Sequence, residues 1–319
     1  MPIKLFIPDL ARFAAGLPRL PALETLLTRA DSRPAPEGSM HDLLAAVFKL
    51  PPASLTMAPL SYLADTGQRG DGFWLRADPV HLVADRDQLV MSALATLEVR
   101  AEEAQALADT FNRMYAEEGF VLETPSPLRW YLHTPKDMTC VTHDPVQVAG
   151  GPIFDFMPSG PDAPFLKQLM NEMQMLFHEH AVNQAREAAG KPLINTAWLW
   201  GGGRLPGVAA AGPQQVATNM PLVHGLALFA GSVCRQWPDV SEVIGSGQTG
   251  LIAVQVEQAG EMATIEARIV QPLLDALRKG AAEVLDIYPG GDRVYQVNRS
   301  MLHRFWRQRR PLSVIQGRG

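Results

Sequence analysis

The stretch Asn195-Thr196-Ala197-Trp198-Leu199-Trp200-Gly201-Gly202-Gly203-Arg204-Leu205-Pro206 constrains the fold more than any other part of the chain. From Leu193 to Trp200 apolar side chains alternate with others, the pattern of a buried strand. Three glycines then remove the side chains where that strand is expected to end. The backbone there can turn sharply or admit a close neighbour. A strand end, a glycine turn and an arginine can also aim backbone N–H groups at an anion. A tight turn with Arg204 in solvent explains the same residues, and composition does not decide between the two.

The 319 residues suffice for one large α/β domain or two smaller ones. The net charge of -5 argues against general nucleic-acid binding. No run reaches the roughly 18 to 20 apolar residues of a membrane span. The opening Met1-Pro2-Ile3-Lys4-Leu5-Phe6-Ile7 reads as a first strand and not as a signal peptide. Cys140 and Cys234 are too few for a disulfide framework or a zinc site, so a reducing cytoplasm is expected.

Strand patterns at residues 3–7, 73–75, 81–84, 128–132, 139–141 and 251–256 alternate with helical patterns at 20–29, 40–50, 100–118, 164–190 and 263–277. Residues 33–38 read as a loop, and Pro79 interrupts the strand pattern around it. The alternation predicts an α/β class. Met170, Met173 and Met175 read as core filler.

Several clusters could carry chemistry. Residues 73–87 hold Arg76, Arg86, Asp78, Asp85, Asp87 and His81 in an apolar setting. They could grip a phosphorylated or carboxylated ligand, or form a local ion-pair set. On a helix, His178 and His180 would diverge, so His178-Glu179-His180 is not a metal pair. His143-Asp144 reads as an exposed turn, and residues 245–250 as a flexible one. Neither a nucleophile elbow nor a phosphate-cradling lysine loop is present. The tail His303-Arg304-Phe305-Trp306-Arg307-Gln308-Arg309-Arg310 reads as a solvated final helix whose aromatics dock on the core. Contact with phosphates or an acidic partner is its alternative.

The series His180-Ala181-Val182-Asn183, then Arg186, then Gly190-Lys191-Pro192, then Asn195 to Gly203 resembles the inserted domain of archaeal-type cofactor-independent phosphoglycerate mutases. Arg76 falls in the family's arginine position within its strand motif. Leu128-Arg129-Trp130 and Thr142-His143-Asp144 are similar to two further family segments. Leu5 to Asp31 is similar to the family's opening strand and helix. The chain also resembles the RpfE-type regulatory proteins of bacteria, through Trp198 to Arg204 and the arginine-rich aromatic tail.

The resemblance implies a reduced alkaline-phosphatase-like core at residues 1–84 and 204–319, with an inserted α+β domain at 85–203. It also implies two divalent metals and a Ser or Thr nucleophile. Asp9 and Ser54 stand near a first ligand position and the nucleophile position. Elsewhere the pattern departs: residues 254–263 contain no histidine, and Asp292 is followed by Arg293 in place of the late Asp-His pair. Two metals are hard to hold without imidazoles and clustered carboxylates. The expectation is therefore a mutase-like protein without its metal centre and without a cofactor. It would be regulatory, or would bind a small phosphorylated or carboxylated ligand or a regulatory protein partner. Arg76, Arg129, Arg186 and Arg204 would contact the anion, and Asp78, Asn183 and Asn195 would orient them. Trp198 and Trp200 would wall the site, and Gly201, Gly202 and Gly203 would line it. Two other classes stay open: an active mutase or phosphatase with an atypical Mn or Zn set, and an interaction module without a small ligand.

Overall fold

The computed structural model describes residues 1–8, 10, 17, 19–35, 39–86 and 88–312. The chain forms two compact units, one from Met1–Leu55 and Gly207–Gly319, the other from Thr56–Pro206.

The first unit opens with β1 (Pro2–Phe6), α1 (Pro21–Arg29), β2 (Asp31–Pro34) and α2 (Met40–Val47). Ile3, Leu5 and Phe6 are fully buried, which marks β1 as a central strand covered on both faces. Pro21 sits in the first turn of α1, where its missing N–H costs nothing. A capping box starts α2: Ser39 Oγ accepts from the Asp42 N–H, and the Asp42 carboxylate accepts from the Ser39 N–H.

The second unit contains α3 (Met57–Thr66), β3 (Phe73–Val80), β4 (Leu82–Asp85), β5 (Gln88–Met91), α4 (Ala101–Met114), β6 (Val121–Ser126), β7 (Arg129–Thr134), α5 (Ala163–His178), α6 (Ala181–Ala188) and β8 (Thr196–Gly203). Its antiparallel sheet has the order β6-β7-β3-β8, and β4 and β5 pair as a hairpin. Leu107, Phe111, Trp130, Leu132, Leu169, Met173, Phe177 and Leu199 belong to its apolar core.

The chain then returns to the first unit with β9 (Gln215–Thr218), α7 (Pro221–Phe229), β10 (Val233–Gln236), β11 (Gly250–Ala253), α8 (Gln271–Lys279), β12 (Val284–Tyr288) and β13 (Arg293–Asn298). The sheet order is β10-β9-β11-β1-β12-β13-β2. The first five strands run parallel, and β13 and β2 close one edge antiparallel. The α/β class read from the alternation is the observed one.

The structure differs from the sequence reading at instructive places. The unit boundary falls at Thr56 and not at residue 85. β3 is the inner partner of both β7 and β8, and α3 packs against β3 and β8, so residues 56–84 fold with the second unit. Pro79 does not interrupt β3. β7 pairs only with Phe73 to Arg76, so no strand on that side needs a Pro79 N–H. The 164–190 helix breaks after His178. His180 caps the second piece, its Nδ1 accepting from the Val182 N–H at 3.2 Å. Residues 139–141 form only an isolated bridge between Val141 and Ser159. The tail is not a helix beyond a 3-10 turn at Ser300–His303. Phe305 and Trp306 stand 80% and 67% exposed instead of docking on the core.

Candidate functional site: an arginine between two aromatic rings

β3 lies between β7 and β8, and the register sets Arg76 opposite Tyr131 on one side and Trp200 on the other. Directly opposed residues share a sheet face. The Arg76 guanidinium therefore sits between two rings, 5.2 Å from the Tyr131 centroid and 5.3 Å from that of Trp200. Two residues on, Asp78 shares that face. Its Oδ1 accepts from Arg76 Nη2 at 2.6 Å and Nε at 3.1 Å, and its Oδ2 accepts from Trp200 Nε1 at 2.8 Å. Arg76 is 6% and Asp78 7% exposed. Burial pushes the Asp78 carboxyl up from its ordinary value, against the pull of Arg76 and Trp200. Burial also works against the Arg76 charge, but Asp78 outweighs it and raises the guanidinium further above neutrality.

The network continues outward through α3. Asp65 accepts from the Tyr131 hydroxyl at 2.6 Å and from Arg129 Nε and Nη2 at 2.8 Å each. Hydrogen bonding to Asp65 raises the Arg129 guanidinium, and burial raises the Tyr131 phenol well above its usual range. Tyr62 stacks on Trp74 at 4.3 Å and donates to Glu123 Oε2 at 2.9 Å. Arg129 is the accessible end, with just over a third of its side chain in solvent.

Arg76, Asp78, Arg129 and Trp200 thus come together as one network. The other expected site residues serve elsewhere. Asn183 holds the chain after α5, donating to Phe177 O and Ile194 O at 2.8 Å and accepting from the Ile194 N–H at 2.9 Å. Arg186 donates to Pro192 O, Glu98 O and Glu103 Oε2, and its Nη2 is buried without a partner among the described residues. Asn195 pairs with both backbone groups of Leu82. Trp198 donates to His143 O at 2.7 Å. Arg204 grips Asp137 on the surface. Each of the four arginines assigned to an anion already faces a carboxylate.

Gly201 to Gly203 do not end the strand but extend β8. A side chain at Gly201 would come within 2.8 Å of Met57 Cβ, one at Gly202 within 2.6 Å of Leu75 Cδ2, and one at Gly203 would strike Thr56. They are glycines because the start of α3 and the β3 side chains press against the strand. That packing replaces the expected anion-lining turn.

Sequence reading missed Asp65 and Tyr131. Tyr131 was accessible through strand period, since it shares a face with Arg129. Asp65 had no local signal, because its partners lie 64 and 66 positions away. Asn183→Ala should leave the Ile194 carbonyl and N–H unpaired, while Phe177 O keeps the His180 N–H, and cost about 1–3 kcal/mol. A urea melt should record that loss, with no change in anion binding.

Two-metal chemistry would need its donors at the carboxyl ends of the parallel strands. There Thr218 Oγ1 accepts from the Met220 N–H. Asn219 is locked to both backbone groups of Gln255, at 2.9 and 2.8 Å. Tyr288 stacks on Phe6 at 4.2 Å. Ser54 ends a single 3-10 turn, and Asp9 lies outside the described residues. Among the described residues no three His, Cys, Asp or Glu group in a metal-holding set. The donors described at these strand ends are amides and a hydroxyl, which are weaker metal ligands than imidazoles and carboxylates.

No family model matches the chain. Part of it is similar to the 2,3-bisphosphoglycerate-independent phosphoglycerate mutase of Methanothrix thermoacetophila: 29% identical over 146 residues, 43% of this chain and 36% of that enzyme. A second stretch of similarity, 26% identical over 189 residues, is to the probable enzyme of the same description from Geobacter sulfurreducens, covering 57% of this chain and 45% of that one. The chain is related to the cofactor-independent phosphoglycerate mutases. The matches span less than half the length of these two relatives. Among solved structures, the PH0037 protein from Pyrococcus horikoshii shares the fold, with TM-score 0.55, 13% identity, 93% of this chain and 87% of that chain. The cofactor-independent phosphoglycerate mutase from Thermoplasma acidophilum aligns over 100% of this chain and 95% of its own, with TM-score 0.46 and 16% identity.

Proposed function

We propose that this phosphoglycerate-mutase-like protein carries out no two-metal phosphoryl transfer and acts as a regulatory, ligand-binding protein of the cytoplasm. The observation that carries this reading is the donor set at the carboxyl ends of the parallel strands, where Asn219 is tied to the Gln255 backbone and the described residues form no group of three His, Cys, Asp or Glu. A small phosphorylated or carboxylated molecule would enter at Arg129, the solvent-facing end of the network, and compete with Asp65 for its fork. Arg76 and Asp78 would hold Tyr131 and Trp200 in place beneath it. No helix among the described residues is long and apolar enough to cross a membrane.

Calorimetric titration of chelator-treated protein with 3-phosphoglycerate tests the ligand reading. Binding without added metal is expected. Arg129→Ala should weaken it about tenfold or more, as loss of a charge-assisted contact does, while Arg204→Ala leaves it unchanged. Absence of binding, or equal loss in both variants, contradicts the site. The exposed pair Phe305 and Trp306 favours a second reading, a protein-interaction module.

A further inference from the structure

The tail after β13 is fastened along α1 and β2. Arg304 donates to Arg29 O and grips Asp31, and Arg307 Nη1 donates to Ala30 O at 2.7 Å. Arg309 Nε stands 3.7 Å from Glu24 Oε2, and the Arg310 N–H donates to Thr28 Oγ1. Yet Phe305 and Trp306 project into solvent, packed edge to face at 5.3 Å. Beside them opens a cavity of about 710 Å³, lined by Arg293, Tyr295, Trp306, Arg307, Arg309 and Arg310 among others. Arg310 meets no carboxylate among the described residues, and Arg293 Nη2 donates to the Ser32 hydroxyl.

An adjacent exposed pair of large aromatics rimmed by arginines has the composition of an interface centre. In a chain of net charge -5, this is a local concentration of positive charge. We propose that this patch docks an acidic segment of a partner protein. Its carboxylates would meet Arg293 and Arg310, and an apolar side chain would cover Phe305 and Trp306. A polynucleotide fits less well. Arg304 and Arg307 share Asp31, and Arg309 stands near Glu24, so these three forks are already engaged within the chain and are not laid out as a row to follow a phosphate backbone. The edge-to-face pair also offers a corner and not a row of stacking faces. This inference deepens the interaction reading and is independent of metal binding and of the Arg129 site.

Fluorescence polarisation with a fluorescein-labelled peptide of alternating glutamate and leucine tests it. The peptide should bind the full chain, and Trp306→Ala and Arg310→Glu should each weaken it about tenfold or more. Both side chains are exposed, so the thermal melts should match wild type. Labelled oligothymidine should bind more weakly than the peptide. The proposal is overturned by any of four results: no peptide binding, binding untouched by both variants, tighter binding of oligothymidine, or a dimer held together through Trp306.

Discussion

Replacing Asp78 with alanine should destabilise the Thr56–Pro206 unit by about 3–5 kcal/mol, the cost of breaking a buried ion pair from one side. The substitution strips Arg76 of its carboxylate partner and leaves Trp200 Nε1 without its acceptor. The guanidinium would remain charged between Tyr131 and Trp200, where water does not reach. A domain is stable by only about 5–15 kcal/mol, so a urea melt followed by tryptophan emission should move far to lower denaturant. The double variant Arg76→Met with Asp78→Leu should recover most of that loss, because apolar replacements of buried pairs are often near neutral. If Asp78→Ala melts with wild type, the pair contributes no strength to the sheet. The network would then lose its claim to hold Tyr131 and Trp200 in place.

The second large effect is expected at Gly201→Ala. Its φ of 62° lies in the left-handed region, which costs an L side chain about 1–2 kcal/mol. A methyl group would also stand 2.8 Å from Met57 Cβ, a rigid atom on α3, and overpacking adds about 1–3 kcal/mol. Gly207→Ala, where nothing lies within 4 Å and φ is not positive, should melt with wild type. The pair of variants separates two roles for the glycine run. A packing role lowers stability and leaves 3-phosphoglycerate binding per folded molecule intact. An anion-lining role would lower binding and leave the melt unchanged.

What the sequence could disclose followed from distance along the chain. The Trp198 to Trp200 strand was legible because strand period is local, and so was the Arg76–Asp78 pair, two residues apart on one face. The continuation of β8 through Gly203 was not, since Thr56 and Met57 create the need for glycine from far away. The partners of Arg129, Arg186 and Arg204 were hidden for the same reason: each carboxylate is more than 60 positions distant. Without those partners, an arginine beside an aromatic strand reads as an anion contact. The unit boundary at Thr56 was hidden because only the pairing of β3 with both β7 and β8 assigns residues 56–84 to the second sheet. The outward Phe305 and Trp306 break the usual preference for burying large aromatics, and periodicity carries no sign of that.

We propose that this chain, related to the cofactor-independent phosphoglycerate mutases, works without a metal pair. Metal content measured after dialysis against manganese and zinc, with a mutase assay on the same sample, tests it most directly. We expect well under one metal per chain and no conversion of 3-phosphoglycerate. Two metals per chain with turnover would contradict it and would direct attention to Asp9 and Ser54.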